Sequence, residues 1–158
     1  MTGIDHLNTL ITHTFSTNSP GKMDKETIVK NFIKNFVIKS RRDRVQLELT
    51  TPARRTDFAD RLNHTWDNIL DMRKLRILPK VAEEYHYVKA ELSLTDNDLC
   101  YVISNDEDID DKVLNFKTAF ETCYSRGFGT MILSASADKL YLQTEGDGHR
   151  FRFTGCLP

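Results

Sequence analysis

The sequence predicts an α+β fold, with an N-terminal helical layer packed on a C-terminal, antiparallel-rich ββαβββ sheet region. Up to Pro79 the apolar residues recur at helical spacing, and beyond it they alternate with polar ones. The charge divides at the same place. Residues 1–80 carry 15 Lys+Arg against 9 Asp+Glu, a net of +6, and residues 81–158 carry 7 against 14, a net of −7. A chain of 158 residues, 39% hydrophobic and 28% charged, fits one domain spanning 1–158. A chain of this length buries roughly 70% of its unfolded surface and needs neither disulfides nor a metal to hold together.

In chain order, Thr2 caps a short helix with Ile4, Leu7, Ile11 and Phe15 on one side, and Pro20-Gly21 breaks it. Asp24 is the N-cap of the next helix, in which Ile28, Val29, Phe32, Ile33, Phe36 and Val37 form one stripe. Continued at 100° per residue, that helix would place Val45 and Leu49 opposite the stripe, so a break is expected near Ser40. The segment 41–50 is ambiguous. Alternation of Val45, Leu47 and Leu49 with charged neighbours fits a strand, the Arg/Gln/Leu/Glu composition fits a helix, and the helix is preferred. Thr51-Pro52 then supplies an N-cap and first helical residue, followed by a stripe of Phe58, Ala59, Leu62, Trp66, Ile69 and Leu70.

After Pro79 the alternation of His86, Val88, Ala90, Leu92 and Leu94 reads as a strand, "TDND" as a turn and "LCYVIS" as the returning strand. "NDEDIDD" precedes a helix with Ile109, Val113, Phe116, Phe120 and Cys123 on one side, ended by Gly127. "TMILSA", "KLYLQTE" and "HRFRFTG" are three further strands, and helices cover one face of the sheet. No apolar run approaches the roughly 20 residues of a membrane span. "MTGIDHLNTLITHTF" lacks the basic leader of a signal peptide, so a soluble cytoplasmic protein is expected. Cys100, Cys123 and Cys156 fit neither a disulfide framework nor a zinc pattern. The first two read as core residues and the third as a free thiol.

Candidate chemistry is sparse. Asp106, Asp108 and Asp110 begin like a calcium loop, but Asp111 stands where the sharp turn needs Gly and Lys117 where a bidentate Glu belongs. The acids are better read as favouring a helix N-terminus. Asp110-Asp111-Lys112 is also a D-x-K triplet, and with Asp96 and Asp98 it could hold Mg²⁺ in a nuclease, although such triplets belong on strands. The histidines (His6, His13, His64, His86, His149) show no i, i+4 pairing, and no serine lies in a nucleophile-elbow motif. The main functional lead is "KSRRDRVQLELTTPARRTDFADRL", where Arg41, Arg42, Arg44, Arg54 and Arg55 are candidates for binding an anion or a partner. If two helices form a hairpin there, Arg41, Arg44 and Arg55 line one edge. Interleaved Asp43, Glu48, Asp57 and Asp60 dilute the field, and pairs such as Asp57–Arg61 fit a solvated helix surface.

Two stretches, "RRDRVQLELTTPARRTDFADRLNH" and "SRGFGTMILSASADKLYL", resemble segments of uncharacterised bacterial small-domain proteins. The resemblance implies a bacterial cytosolic protein and brings no catalytic residues with it. The reading is a non-catalytic bacterial protein of the immunity or regulatory type that binds a protein partner or itself, with no cofactor and no membrane. Nucleic-acid binding through 39–61 stands second and a metal-dependent nuclease on Asp96, Asp98 and Asp110 third. If the +6/−7 division drives self-association, sedimentation at low salt will show a dimer or larger species that dissociates as salt rises, since exposed charge is screened over about 8 Å at physiological ionic strength. A monomer at every salt concentration would restrict the asymmetry to contacts within one molecule.

Overall fold

The computed structural model describes residues 23–126, 129–146 and 149–158. The expected first helix, the Pro20-Gly21 break, the Gly127 helix end and the "GDG" turn lie wholly or partly outside them. The elements are α1 (Lys25–Phe36), α2 (Arg42–Thr50), α3 (Pro52–His64), β1 (Arg76–Ile77), α4 (Glu84–Glu91), β2 (Leu99–Ser104), β3 (Val113–Asn115), α5 (Phe116–Arg126), β4 (Thr130–Ser134), β5 (Lys139–Gly146) and β6 (His149–Cys156). The six strands form one sheet in the order β1-β6-β5-β4-β2-β3, with every neighbouring pair antiparallel. The α+β class holds, and the order ββαβββ is found from Leu99 onward.

The helical layer forms for the reasons its sequence gives. Asp24 caps α1 by accepting from Glu26 N at 3.2 Å, and Ile28, Val29, Phe32, Ile33 and Phe36 are buried on one stripe. The chain leaves the helix at Val37, passes through one 3-10 turn (Lys39–Arg41) and enters α2, so 41–50 is helical apart from its first residue. Pro52 sits in the first turn of α3, where its missing N–H is no loss. The helix ends at His64, before the expected Trp66–Leu70 stripe, and a 3-10 turn (Trp66–Asn68) follows. That turn brings the chain back to α1. Ile38 N donates to Ile69 O at 3.0 Å, Asp71 N donates to Phe36 O at 2.7 Å, and Val37 bridges Leu70. The α2–α3 hairpin is therefore tied at its base.

Helices cover both faces of the sheet, not one. Tyr101, Ile103, Met131, Leu133, Leu140, Leu142 and Phe153 pack against α1, α2 and α3. Their alternating neighbours Cys100, Val102, Ile132 and Tyr141 pack against α4 and α5. The expected strand 86–94 is instead helix α4. Glu84, Val88 and Leu92 are buried at spacing four, whereas His86 and Ala90, which completed the apparent alternation, are exposed. Burying Val88 and Leu92 stabilises by about 1.5–3 kcal/mol each, more than the few tenths that separate helix propensities. Ser93 at φ 48° ends α4, with Leu94 N donating to Lys89 O at 2.9 Å.

The expected helix around Val113 is also shorter than its pattern. Val113–Asn115 is strand β3, and α5 begins at Phe116 with Asn115 Oδ1 accepting from Thr118 N at 2.8 Å. The acids 106–111 therefore do not sit at the N-terminus of α5; they form a separate turn between β2 and β3.

β6 crosses under the helical layer where Gly155 faces Phe36. A Cβ there would lie 2.7 Å from Phe36 Cε1 and 2.9 Å from Leu75 Cδ2. Gly155→Ala is therefore expected to lower stability by about 1–3 kcal/mol, read as a lower urea midpoint at unchanged slope. An unchanged midpoint would mean that the contact yields freely.

Candidate functional site

The five arginines of the basic stretch do not form one surface. Arg42 turns back onto the C-terminal end of α1, donating through Nε to Val37 O at 3.2 Å and through Nη2 to Lys34 O at 2.9 Å. Arg54 is exposed on α3. Arg55 is mostly buried and donates through Nε and Nη2 to the two oxygens of Asp110 at 2.6 and 2.8 Å. Arg41 and Arg44 remain, and the fold brings them to Arg61, which belongs to the same basic stretch but lies on α3.

These three line a cleft of about 330 Å³ between α2, α3 and the 3-10 turn, together with Val45, Thr65, Asn68 and Ile69. Beneath it lies Glu48, whose side chain is 5% exposed. Glu48 accepts from Arg44 Nε at 2.9 Å through one oxygen and from Arg61 Nη2 through the other. One buried carboxylate thus holds two guanidiniums, and with Arg41 the cleft carries a surplus of two positive charges. Two residues lining the cleft each hold a buried donor without a hydrogen-bond partner among the described residues: Arg61 Nε and the Thr65 hydroxyl. A buried donor left unpaired costs about 1–3 kcal/mol, so an acceptor placed there would recover a real penalty.

The carboxylates considered for metal binding are dispersed and engaged. Asp96 accepts from Tyr85 Oη at 2.6 Å and from Lys89 Nζ at 2.7 Å, Asp98 accepts from Thr95 N at 2.7 Å, and Asp110 is taken by Arg55. Asp106 and Asp108 both pair with Arg126, at 2.7 and 2.8 Å. The acids that began like a calcium loop are thus each met by an arginine, and among the described residues no group of three or more His, Cys, Asp or Glu could hold a metal ion. Asp111, in the position where that loop needs Gly, adopts φ 57°, a conformation that Asp tolerates better than most residues. Burial pushes the Cys100 thiol up to about 12, as befits a core residue.

A second cleft of about 420 Å³ lies between α4 and α5 on the opposite face of the sheet, lined by Glu83, Glu84, Tyr85, Phe120, Glu121 and Tyr124. The strand reading of 86–94 concealed it. Burial pushes the Glu84 carboxyl up, against the pull of Arg152, which donates to it. The Arg152 guanidinium also lies 4.8 Å from the centre of the Tyr124 ring. The chain thus supplies its own cation to this cleft, whereas the positive surplus of the α2/α3 cleft is not answered within it.

No family model, no curated protein and no solved structure matches the chain. Among the described residues no helix is long and apolar enough to cross a membrane.

The turn carrying Asp110 and Asp111 ties both outer helices of the N-terminal layer to β2. Burial works to raise the Asp111 carboxyl, but a 2.6 Å hydrogen bond from Tyr101 Oη, Lys25 at 3.2 Å and the charge of Arg55 hold it below the usual range. A depressed folded pKa contributes stability above the unfolded value of about 3.9 and loses it as pH falls through the folded one. Asp111→Asn retains a residue suited to φ 57° and removes the charge. Its urea midpoint should therefore fall less steeply below about pH 4 than that of the parent. Parallel acid profiles would show that Asp111 lends no such stability.

Proposed function

We propose that the chain is a bacterial cytosolic, non-catalytic interaction module that docks an acidic partner protein by taking an anionic group into the α2/α3 cleft. The observation that carries this reading is the cleft itself, in which Arg41, Arg44 and Arg61 meet a single carboxylate, Glu48, and two of whose lining residues, Arg61 and Thr65, each hold a buried donor without a partner among the described residues. Glu48 supports it by fixing Arg44 and Arg61 in advance of binding, so that less side-chain freedom is lost on docking. An immunity or regulatory role fits a module of this kind.

Nucleic-acid binding stands second, because Arg42 and Arg55 are engaged within the fold. Arg41, Arg44 and Arg54 remain, and three phosphate contacts give a log–log salt slope of about −2.7, against about −4.5 for all five arginines. A nuclease has less support still, with Asp110 paired to Arg55.

The test uses a fluorescent Glu/Asp-rich peptide and a 5′-hydroxyl DNA duplex as probes, with the parent and the Arg41→Ala/Arg44→Ala double variant. Both side chains are exposed, and Arg61 still answers the buried Glu48 when Arg44 is removed, so the variant is expected to fold. The peptide should bind the parent at low salt, and the double substitution should weaken it at least tenfold. Peptide binding indifferent to the substitution, or duplex binding with a slope steeper than about −2.7, would overturn the reading.

A further inference from the structure

We infer that the group the α2/α3 cleft takes is a phosphate monoester dianion rather than a carboxylate, an inference that rests on the cleft being an anion site at all. The first ground is charge. Arg41, Arg44 and Arg61 face one buried carboxylate, Glu48, and leave a surplus of two. A phosphate monoester carries about −1.5 to −2 at pH 7, a carboxylate one charge, and a phosphodiester one.

The second ground is the number and origin of the donors. Arg61 Nε and the Thr65 hydroxyl are buried without partners, and the guanidiniums of Arg41 and Arg44 and the amide of Asn68 add further donors. They come from opposite walls, α2 on one side and α3 with its following turn on the other. A monoester offers three terminal oxygens in a tetrahedral arrangement to such a set, whereas a carboxylate offers two in one plane. The third ground is size. A cleft of about 330 Å³ falls within the range of small-molecule sites, with room for the phosphoryl group and the first atoms of its carrier.

The carrier can be a phosphorylated side chain or a small phosphorylated molecule, and the experiment separates the two. Inorganic phosphate, sulfate and acetate are titrated into the full chain at matched ionic strength and followed by calorimetry. O-phosphoserine in a short peptide and AMP are then compared with a 5′-hydroxyl oligonucleotide. Phosphate and sulfate should bind, and acetate should bind at least tenfold more weakly. The affinity of the O-phosphoserine peptide should rise between pH 5.5 and 7.5 as the monoester's second proton, with pKa about 6, is lost. Sulfate, doubly charged throughout, reports any contribution from the protein. The charged groups at the cleft are Arg41, Arg44, Arg61 and Glu48, and His64 and Asp67 lie within two positions of Thr65 in the sequence.

Thr65→Val supplies the decisive variant. It removes a hydroxyl that has no partner among the described residues, so stability should hold or rise while phosphate affinity falls roughly tenfold or more. Thr65→Ser should retain binding. Tighter binding of the phosphoserine peptide identifies a protein carrier, and tighter binding of AMP a small molecule; either supports the monoester. Acetate and the Glu/Asp-rich peptide binding as well as phosphate, with Thr65→Val unchanged, would overturn the phosphate assignment and leave carboxylate docking standing. The 5′-hydroxyl oligonucleotide binding as tightly as AMP would also overturn it. Failure of every anion, acidic peptide included, would remove both readings.

Discussion

The centre of the sheet is apolar on both faces, and this constraint shapes the rest of the molecule. β2, β4 and β5 send Tyr101, Ile103, Met131, Leu133, Leu140 and Leu142 to one side and Cys100, Val102, Ile132 and Tyr141 to the other. An antiparallel sheet can leave one face to water only when that face is polar. Here neither is, so two helical layers are required. The chain provides them in sequence, α1–α3 on one side and α4–α5 on the other. The charge division follows the layers closely enough that Lys25, Arg55 and Arg76 of the basic half pair with Asp111, Asp110 and Glu91 of the acidic half. Part of the asymmetry is thus consumed within the molecule, holding elements from the two halves together.

The two-faced sheet was legible in one place. "LCYVIS" has no alternation, and a continuous apolar run marks a strand covered on both sides. The strand reading of 86–94 obscured the point, because it assigned to the sheet the residues that form part of the second layer. His86, Val88, Ala90, Leu92 and Leu94 satisfy period two, but Glu84, Val88 and Leu92 satisfy period four, and a segment this short supports both. Packing decides, since Val88 and Leu92 become buried beneath α4 while His86 and Ala90 stay in water. By contrast, α1 was readable down to its cap. Its stripe is long enough for only one period, and Asp24 makes its hydrogen bond locally.

The site was legible as a composition but not as an arrangement. Clustering of arginine between 39 and 61 is visible in the sequence, and so is the i, i+4 pair Arg44–Glu48 that the cleft is built on. What divides the arginines is tertiary. Arg55 finds Asp110 fifty-five positions away, and Arg42 finds the carbonyls of α1 only because the chain turns sharply after Phe36. Thr65 carries no signal of its own in the sequence. It belongs to the cleft because α3 stops at His64 and the following turn folds back toward α1.

Glu48 explains why such a cleft can persist. A carboxylate buried to this degree is costly unless its charge is answered and its oxygens are satisfied, and two guanidiniums meet both conditions. The same arrangement holds Arg61 with its Nη2 donating to Glu48 and its Nε without a partner. The interaction that removes one penalty therefore leaves another, an oriented donor with no partner among the described residues. Removing Glu48 would relieve the buried charge but release both guanidiniums, and the cleft would lose its fixed geometry together with its negative floor. The carboxylate thus lowers the net charge of the site while making the remaining positive charge directional, and direction is what separates a binding cleft from a basic surface.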